Sequence, residues 1–258
     1  MTTLRLTVEY DGTNFSGFQW QSQARTIAGT LELALSRLFR ESIKVTGAGR
    51  TDAGVHATGQ VVSCTTARAF PFDRLAVALG ALLPPDCSIR ETTVVADGFS
   101  ARFDARERSY VYAILNRPHR SALLVRYAHS VPQPLDVGAM RAGAAHLIGE
   151  HDFRSFAAAS AQERTVRRLR RIELRMAGEL VRIEVAADGF LHHMVRTIVG
   201  TLVECGTGRR EPSDLARALA ACDRASAGPT APPQGLYLAG VRYADGYDSF
   251  AEPPVFGA

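Results

Sequence analysis

The chain has 258 residues, of which 46% are hydrophobic, so it is long enough for one large domain or two small ones with a substantial core. Its net charge is only +4, so the distribution of basic residues says more about partners than the total. There is no apolar run of membrane-spanning length and no signal-peptide segment at the start, and the four cysteines form no C-x-x-C motif. These features argue against a membrane protein, a zinc site and a disulfide framework, and they favour a reducing cytoplasm.

Hydrophobic periodicity predicts alternating strands and helices in the first half of the chain. Apolar residues alternate with polar ones in the first strand, as in a strand with one buried face, and recur at helical spacing in the segment that follows. The predicted elements are, in order, strand 4–10, helix 27–38, strand 43–45, strand 60–64, helix 75–82, strand 89–95 and strand 106–115.

The second half repeats this pattern after a proline-containing connecting segment, 116–135. Its hairpin is expected to turn at Ala177 and Gly178, with charged residues on one face and apolar residues on the other. The predicted elements are helix 136–149, hairpin strands 172–176 and 181–185, helix 191–204, helix 212–222 and strand 236–241.

These elements predict an α+β fold with two similar halves, 1–115 and 136–258. The hairpins favour mainly antiparallel sheets, either separate or joined into one long sheet, with helices covering one face. The similarity between the halves is too weak to prove a sequence repeat.

The glycine-rich segment 47–57 is the most informative part of the sequence, because it holds a single acidic residue, Asp52, with Arg50 two residues earlier. Glycines let the backbone bend sharply, and a reactive group on a loop braced by strands is a common way to build a site. Thr-Asp-Ala-Gly is also an ordinary turn sequence, so a purely structural role is an equal alternative. A phosphate-binding loop is disfavoured, because a strand follows the segment and no Gly-Lys-Ser/Thr ending is present.

Arginines are concentrated in one short part of the second half, which favours an RNA-facing surface over a merely solvated one. The cluster consists of Arg164, Arg167, Arg168, Arg170, Arg171 and Arg175.

Six ordered motifs resemble those of the tRNA pseudouridine synthase A family, and they cover nearly the full length. The matching segments are 10–19, 47–57, 102–105 with 108–112, 152–156 with 164–165, 190–200 and 235–238. The chain departs from the family at Ala28, Ser100 and Ser109, where Gln, His and Arg are frequent. These departures affect individual RNA contacts and leave the catalytic residue types in place.

The resemblance implies two halves related by a pseudo-twofold axis, with an RNA-binding cleft between them. It assigns catalysis to Asp52, either by attack on the ribose C1′ or by removal of a ribose proton. Arg196 is implied as the cationic partner that keeps Asp52 ionised, because a nearby guanidinium opposes the effect of burial on a carboxyl pKa. A surface arginine on an amphipathic helix is the alternative for Arg196.

The remaining implied contacts involve the flipped uridine and the RNA backbone. Arg50 inserts into the vacated space or grips a phosphate, and Tyr110 stacks on uracil or assists proton removal at C5. Ordinary packing of strand aromatics would also explain Tyr110 and Tyr112, which lie two residues apart. Further RNA contacts are expected from Arg164, Arg168, Arg171 and His192, with His192 and Arg196 on one helix face.

The implied reaction isomerises uridine to pseudouridine at tRNA positions 38–40. It breaks the bond between uracil N1 and ribose C1′ and rejoins the base through C5, so it needs no cofactor and no metal. The adjacent His192 and His193 lack an H-E-x-x-H spacing, which disfavours a metal site. The expected partners are tRNA and a second copy of the chain in a cytoplasmic homodimer.

Two other functions are compatible with parts of the sequence. One is a noncatalytic protein that binds structured RNA, and the other is a nucleosidase. Glycosidic hydrolysis usually employs two carboxylates, and no convincing second acid accompanies Asp52.

Overall fold

The computed structural model describes residues 1–158 and 164–256, and it shows an α+β protein with mainly antiparallel strand pairing, as predicted. The helices are α1 (Ile27–Phe39), α2 (Leu75–Gly80), α3 (Val137–Ala145), α4 (Met194–Gly206) and α5 (Asp214–Ala221). The strands are β1 (Thr2–Tyr10), β2 (Thr46–Gly47), β3 (His56–Thr66), β4 (Cys87–Val95), β5 (Ala105–Asn116), β6 (His129–Val131), β7 (Gly149–Asp152), β8 (Val166–Ala177), β9 (Leu180–Ala187) and β10 (Leu236–Tyr243). None of the described helices is long and apolar enough to cross a membrane.

The predicted order of elements is confirmed, but β6 and β7 were not predicted and several boundaries differ. The segment 43–45 is not a strand, and pairing with β3 begins only at Thr46. The helix expected from residue 191 begins at Met194, because His193 adopts a left-handed conformation (φ 65°) immediately before it. The helix expected to reach residue 149 ends at Ala145, so that β7 can begin at Gly149, whose φ is +117°.

The chain forms two compact units whose boundaries differ from the predicted halves. The first unit contains Met1–Arg108 and Tyr237–Pro253, and the second contains Ser109–Leu236 with the residues from Pro254 onward. The final strand, assigned from sequence to the C-terminal half, therefore belongs mostly to the first unit. Its parallel pairing with β3, which places Tyr237 opposite His56, accounts for this placement.

The sheet of the first unit has the strand order β4-β1-β3-β10. Strand β1 is antiparallel to both neighbours, and β2 adds a short antiparallel pairing to β3. The apolar core includes alternate residues of β1 and one face of α1. Its fully or almost fully buried members include Leu4, Leu6, Val8, Ile27, Leu31 and Leu35.

Strand β1 is buried on both faces, whereas its alternation predicted one solvent-facing side. Its polar residues Arg5 and Thr7 are 7% and 3% exposed. The segment after β10 covers them: Arg5 forms an ion pair with Asp245 at 2.7 Å, and Thr7 hydrogen-bonds to Tyr247. Contacts with a segment distant in the sequence therefore bury the face of β1 that was expected to face solvent.

In the second unit, the strand order is β5-β9-β8-β7, and β6 pairs in parallel with β5. The predicted hairpin is present as β8 and β9, with Ile172 opposite Val185. Its turn lies at Gly178 and Glu179, one residue later than expected, because Ala177 still pairs with Leu180. The left-handed φ of +58° at Gly178 suits a tight hairpin turn.

Candidate active site

Asp52 lies in a turn between two paired strands of the first unit. Gly47 in β2 pairs with Val62 in β3, so the chain must reverse direction between these strands. The Val55 amide donates to the Asp52 carbonyl at 3.2 Å, which closes a tight turn around the acidic residue. The Asp52 side chain is half-buried, so this geometry holds a carboxylate at the edge of solvent.

A fully buried side chain in β3, Gln60, fixes the start of this turn. Its Nε2 donates to the Gly49 carbonyl at 2.7 Å, and its Oε1 accepts from the Gly49 amide at 3.3 Å. The same Nε2 lies 3.4 Å from the Tyr10 hydroxyl. A buried amide that satisfies both backbone groups of one residue holds that residue in a single position.

The first motif, residues 10–19, packs directly against the turn. The hydroxyls of Tyr10 and Thr51 are 2.9 Å apart, and the Phe18 amide donates to the Thr51 carbonyl at 2.9 Å. A Cβ on Gly12 would lie 2.0 Å from the Val55 carbonyl oxygen, so only glycine allows this approach. The two motifs therefore pack against each other on both sides of Asp52 in the sequence, at Thr51 and at Val55.

The motif formed by residues 102–105 and 108–112 contributes an arginine that hydrogen-bonds to three backbone carbonyls. Arg108 donates from Nε to Ala48 at 3.1 Å, from Nη2 to Arg102 at 2.5 Å and from Nη1 to Ala105 at 3.3 Å. A planar guanidinium directs its N–H donors along fixed directions, so it holds these three carbonyl groups in fixed positions relative to one another. The turn of Asp52 and the segment beginning at Arg102 are thus neighbours.

His56, the first residue of β3, is also buried against this assembly. Its Nδ1 lies 3.1 Å from the Gly12 amide and 3.2 Å from Asp11 Oδ1, and its ring stacks on Tyr237 with centroids 4.9 Å apart. No role was predicted for His56, Gln60 or Arg108. Their only sequence signal is membership of the matched motifs or the strand that follows.

Arg50 is exposed and lies between the two braced parts of the turn. Within residues 1–158 and 164–256, its guanidinium makes no hydrogen bond or ion pair. A cation on an anchored backbone, with no internal partner to displace, is suited to an anionic ligand such as a phosphate.

Tyr110 lies in the part of β5 that belongs to the second unit, and it is 7% exposed. The Phe190 ring meets it edge-on, with centroids 5.0 Å apart and an interplanar angle of 85°. Tyr112 is fully buried and donates to the Pro232 carbonyl at 2.8 Å, and its burial raises the pKa of its hydroxyl. The two tyrosines differ accordingly, because only Tyr110 retains some exposure.

Arg196 lies in the first turn of α4 and is half-buried. Its Nε donates to the Ala231 carbonyl at 2.8 Å, and its own carbonyl accepts from the Ala231 amide at 3.0 Å. The exposed His192 precedes the helix, so the expectation that it shares a helix face with Arg196 is wrong. The left-handed conformation of His193 separates His192 from α4.

The arginine-rich segment contains two kinds of side chain. Arg164 and Arg168 are exposed, and the Arg168 side chain forms no hydrogen bond or ion pair with the rest of the described chain. Arg171 instead pairs with Glu184 on β9, which also accepts from Arg182 at 2.8 Å. Although burial opposes ionisation of Glu184, the bonds from Arg182 and Arg171 hold its carboxyl pKa below the usual range.

The predicted site residues are divided between the two units. Asp52 and Arg50 belong to the first unit. The second unit contains the other six, namely Tyr110, Arg164, Arg168, Arg171, His192 and Arg196.

The chain that carries this aspartate turn matches one protein family over most of its length. Residues 6–104 and 144–244 match the tRNA pseudouridine synthase family. The chain belongs to this family. The match includes the Asp52 turn, the first motif and α4.

Several relatives with the more specific description "tRNA pseudouridine synthase A" are similar over almost the whole chain. The relative from Brevibacillus brevis is 46% identical, over 94% of this chain and 100% of its own length. The relative from Methylococcus capsulatus is 47% identical, over 93% and 89%, and that from Caldicellulosiruptor bescii is 41% identical, over 94% and 100%.

Proposed function

We propose that this chain isomerises uridine to pseudouridine in tRNA, at positions 38–40 of the anticodon stem and loop. The observation that carries the proposal is the family match, which spans the turn of Asp52 and extends through both compact units. The full-length similarity to relatives described as tRNA pseudouridine synthase A supports tRNA as the substrate.

Asp52 is the proposed catalytic carboxylate. The reaction must cleave the bond between uracil N1 and ribose C1′, turn the base, join C5 to C1′ and remove the C5 proton. An ionised carboxylate beside the ribose can attack C1′ or remove a ribose proton. The half-buried position of Asp52 on a braced turn supports either role, because a fixed geometry lowers the cost of reaching the transition state.

Two further residues are proposed to hold the flipped nucleotide. Arg50 occupies the space that the base leaves or binds a neighbouring phosphate, and its exposure supports this role. Tyr110 contacts uracil through its ring or its hydroxyl. Tyr110→Phe should be close to normal if only stacking matters, and should stop turnover after glycosidic cleavage if the hydroxyl moves the C5 proton.

Arg196 is proposed to keep Asp52 ionised, an assignment that rests on the family resemblance. Its anchoring to Ala231 supports a fixed guanidinium. Replacement by alanine should lower turnover, because the aspartate would lose a stabilising positive charge. Arg196→Lys should rescue poorly, since an ammonium lacks the planar fork.

We also propose that the protein acts as a homodimer in the cytoplasm, again from the resemblance. Sedimentation equilibrium of the purified chain tests the dimer, and an unchanging monomer mass across concentrations would reject it.

The deciding experiment incubates the protein with unmodified tRNA transcripts and maps pseudouridine at each uridine. Wild-type protein should modify positions 38–40, and Asp52→Asn should bind tRNA but form no product. Release of free uracil would identify a nucleosidase. Tight tRNA binding without product from wild-type protein would identify a noncatalytic RNA-binding protein.

A further inference from the structure

Phe103 is an aromatic residue of the motif 102–105, and it has no role among the site residues assigned so far. Its side chain is 79% exposed, although the short turn to which it belongs is anchored to the core of the first unit. Single exposed apolar residues are common on protein surfaces, so exposure alone carries no conclusion. The backbone that supports Phe103 and the groups around it distinguish this residue from an incidental surface aromatic.

The turn that carries Phe103 is closed by reciprocal hydrogen bonds. The Ser100 amide donates to Asp104 Oδ2 at 2.8 Å, and the Asp104 amide donates to the Ser100 carbonyl at 3.1 Å. The Phe103 amide lies 3.4 Å from the Ser100 hydroxyl. These bonds hold the backbone of the turn while the Phe103 ring stays in solvent.

Two deeper contacts fix this turn to the core of the unit. Ala101 is fully buried, its amide donates to the Ser63 hydroxyl at 3.0 Å, and its carbonyl accepts from the Tyr243 hydroxyl at 2.7 Å. The ring of Phe103 is therefore presented from an immobilised backbone. A ligand that binds it pays little for ordering the protein.

Phe103 also lies close to the proposed catalytic turn. One guanidinium, that of Arg108, binds both the Arg102 carbonyl and the Ala48 carbonyl. Asp52 follows Ala48 by four residues, which a fully extended chain would span in at most about 14 Å. The turns that carry Asp52 and Phe103 are therefore joined through one guanidinium.

The charge around the ring suits an anionic polymer. The Arg102 guanidinium lies over the Phe103 ring, 5.4 Å from its centroid, and both side chains are exposed. Arg106 is exposed two residues beyond the turn. An aromatic platform flanked by arginines is the arrangement that binds unpaired bases while their phosphates are neutralised.

We propose that Phe103 is a base-stacking residue for an unpaired nucleotide next to the target uridine, with Arg102 neutralising the adjoining phosphate. This inference rests on the proposed function, which supplies both the RNA and the target uridine at Asp52. It adds a substrate-binding residue in the first unit that is separate from Arg50 and Tyr110.

The test compares Phe103→Ala, Phe103→Leu and Phe103→Trp with wild-type protein, using an unmodified tRNA transcript. Val77→Ala is the matched control, because Val77 is an apolar residue of α2 with 80% exposure. The measurements are the tRNA dissociation constant over a range of salt, single-turnover pseudouridine formation, thermal melting and molecular mass.

Loss of a stacked base should raise the dissociation constant of Phe103→Ala about 5- to 150-fold. Phe103→Leu should resemble the alanine variant, since it lacks a π face, and Phe103→Trp should bind like wild type. The salt slope should be unchanged, because no phosphate contact is removed. Melting should also be unchanged, and Val77→Ala should bind normally.

An unchanged affinity in Phe103→Ala would overturn the inference. Full rescue by leucine would also overturn it, since that result indicates apolar packing instead of stacking. A changed molecular mass with normal tRNA affinity would assign Phe103 to a contact between copies of the chain. Because affinity is measured apart from product formation, a protein that binds tRNA but does not modify it would reject the proposed function and still test Phe103.

Discussion

Replacing Gly12 by alanine should impair catalysis by displacing the turn that carries Asp52. Gly12 does not have a positive φ, so alanine is sterically acceptable to its own backbone. The added Cβ would lie 2.0 Å from the Val55 carbonyl oxygen, whereas real Cβ contacts are essentially never shorter than 3.0 Å. The two segments must therefore separate by about 1 Å, because the atom in the way belongs to the backbone.

This displacement reaches Asp52 through a short path. The Val55 amide donates to the Asp52 carbonyl, so a shift of Val55 alters the turn itself. A misplacement of about 1 Å can cost about 10²-fold in rate, and overpacking typically costs about 1–3 kcal/mol of stability. For a chain of this size, each kcal/mol lowers the melting temperature by about 2–4 °C.

Single-turnover pseudouridine formation and thermal melting measure the two effects separately. Gly80→Ala is the matched control, because an added Cβ there has no atom within 4 Å. This variant should be fully active and as stable as wild type, or slightly more stable by about 0.4–1 kcal/mol. Wild-type activity in a folded Gly12→Ala protein would show that the close approach to Val55 does not position Asp52.

Three further predictions concern the support of the Asp52 turn, the arginine-rich segment and the cysteines. Gln60→Leu keeps the side-chain size but removes two part-buried hydrogen bonds to Gly49. It should destabilise the protein by about 1–3 kcal/mol in denaturant titrations, at about 0.5–1.5 kcal/mol for each hydrogen bond. Arg168→Ala should reduce the slope of log affinity against log salt by about 1 for every tRNA. Arg171→Ala should change that slope less, because Glu184 already neutralises Arg171. Cys222 should be the only thiol that reacts rapidly with a disulfide reagent in the folded protein, because it is exposed while burial raises the thiol pKa values of the other three cysteines.

Each of these predictions has a contradicting result. An undiminished stability in Gln60→Leu would mean that Gly49 finds other partners. Equal salt slopes for the Arg168 and Arg171 variants would show that RNA displaces Glu184 from Arg171. Rapid reaction of more than one thiol would contradict the burial of the remaining cysteines, and Cys222→Ser supplies the control.

Local sequence patterns were enough to predict the order of most elements and the glycine-rich turn around Asp52. Local signals carry this information: helical periodicity marks α1, alternation marks β1, and the glycines of 47–57 allow the sharp reversal around Asp52. The six ordered motifs also identified the family, which the full-length similarity to relatives confirms. The roles of the individual site residues remain predictions.

The strand pairings and the long-range hydrogen bonds of these segments became known only from the tertiary structure. Strand β10 pairs with β3 across about 180 residues of chain, and no local pattern specifies that pairing or assigns β10 to the first unit. The same holds for the bonds of Gln60 to Gly49 and of Arg108 to Ala48, which brace the turn of Asp52. Hydrogen bonds of this kind depend on distance in space, so a sequence that shows an amide and a guanidinium cannot show which carbonyl each will meet.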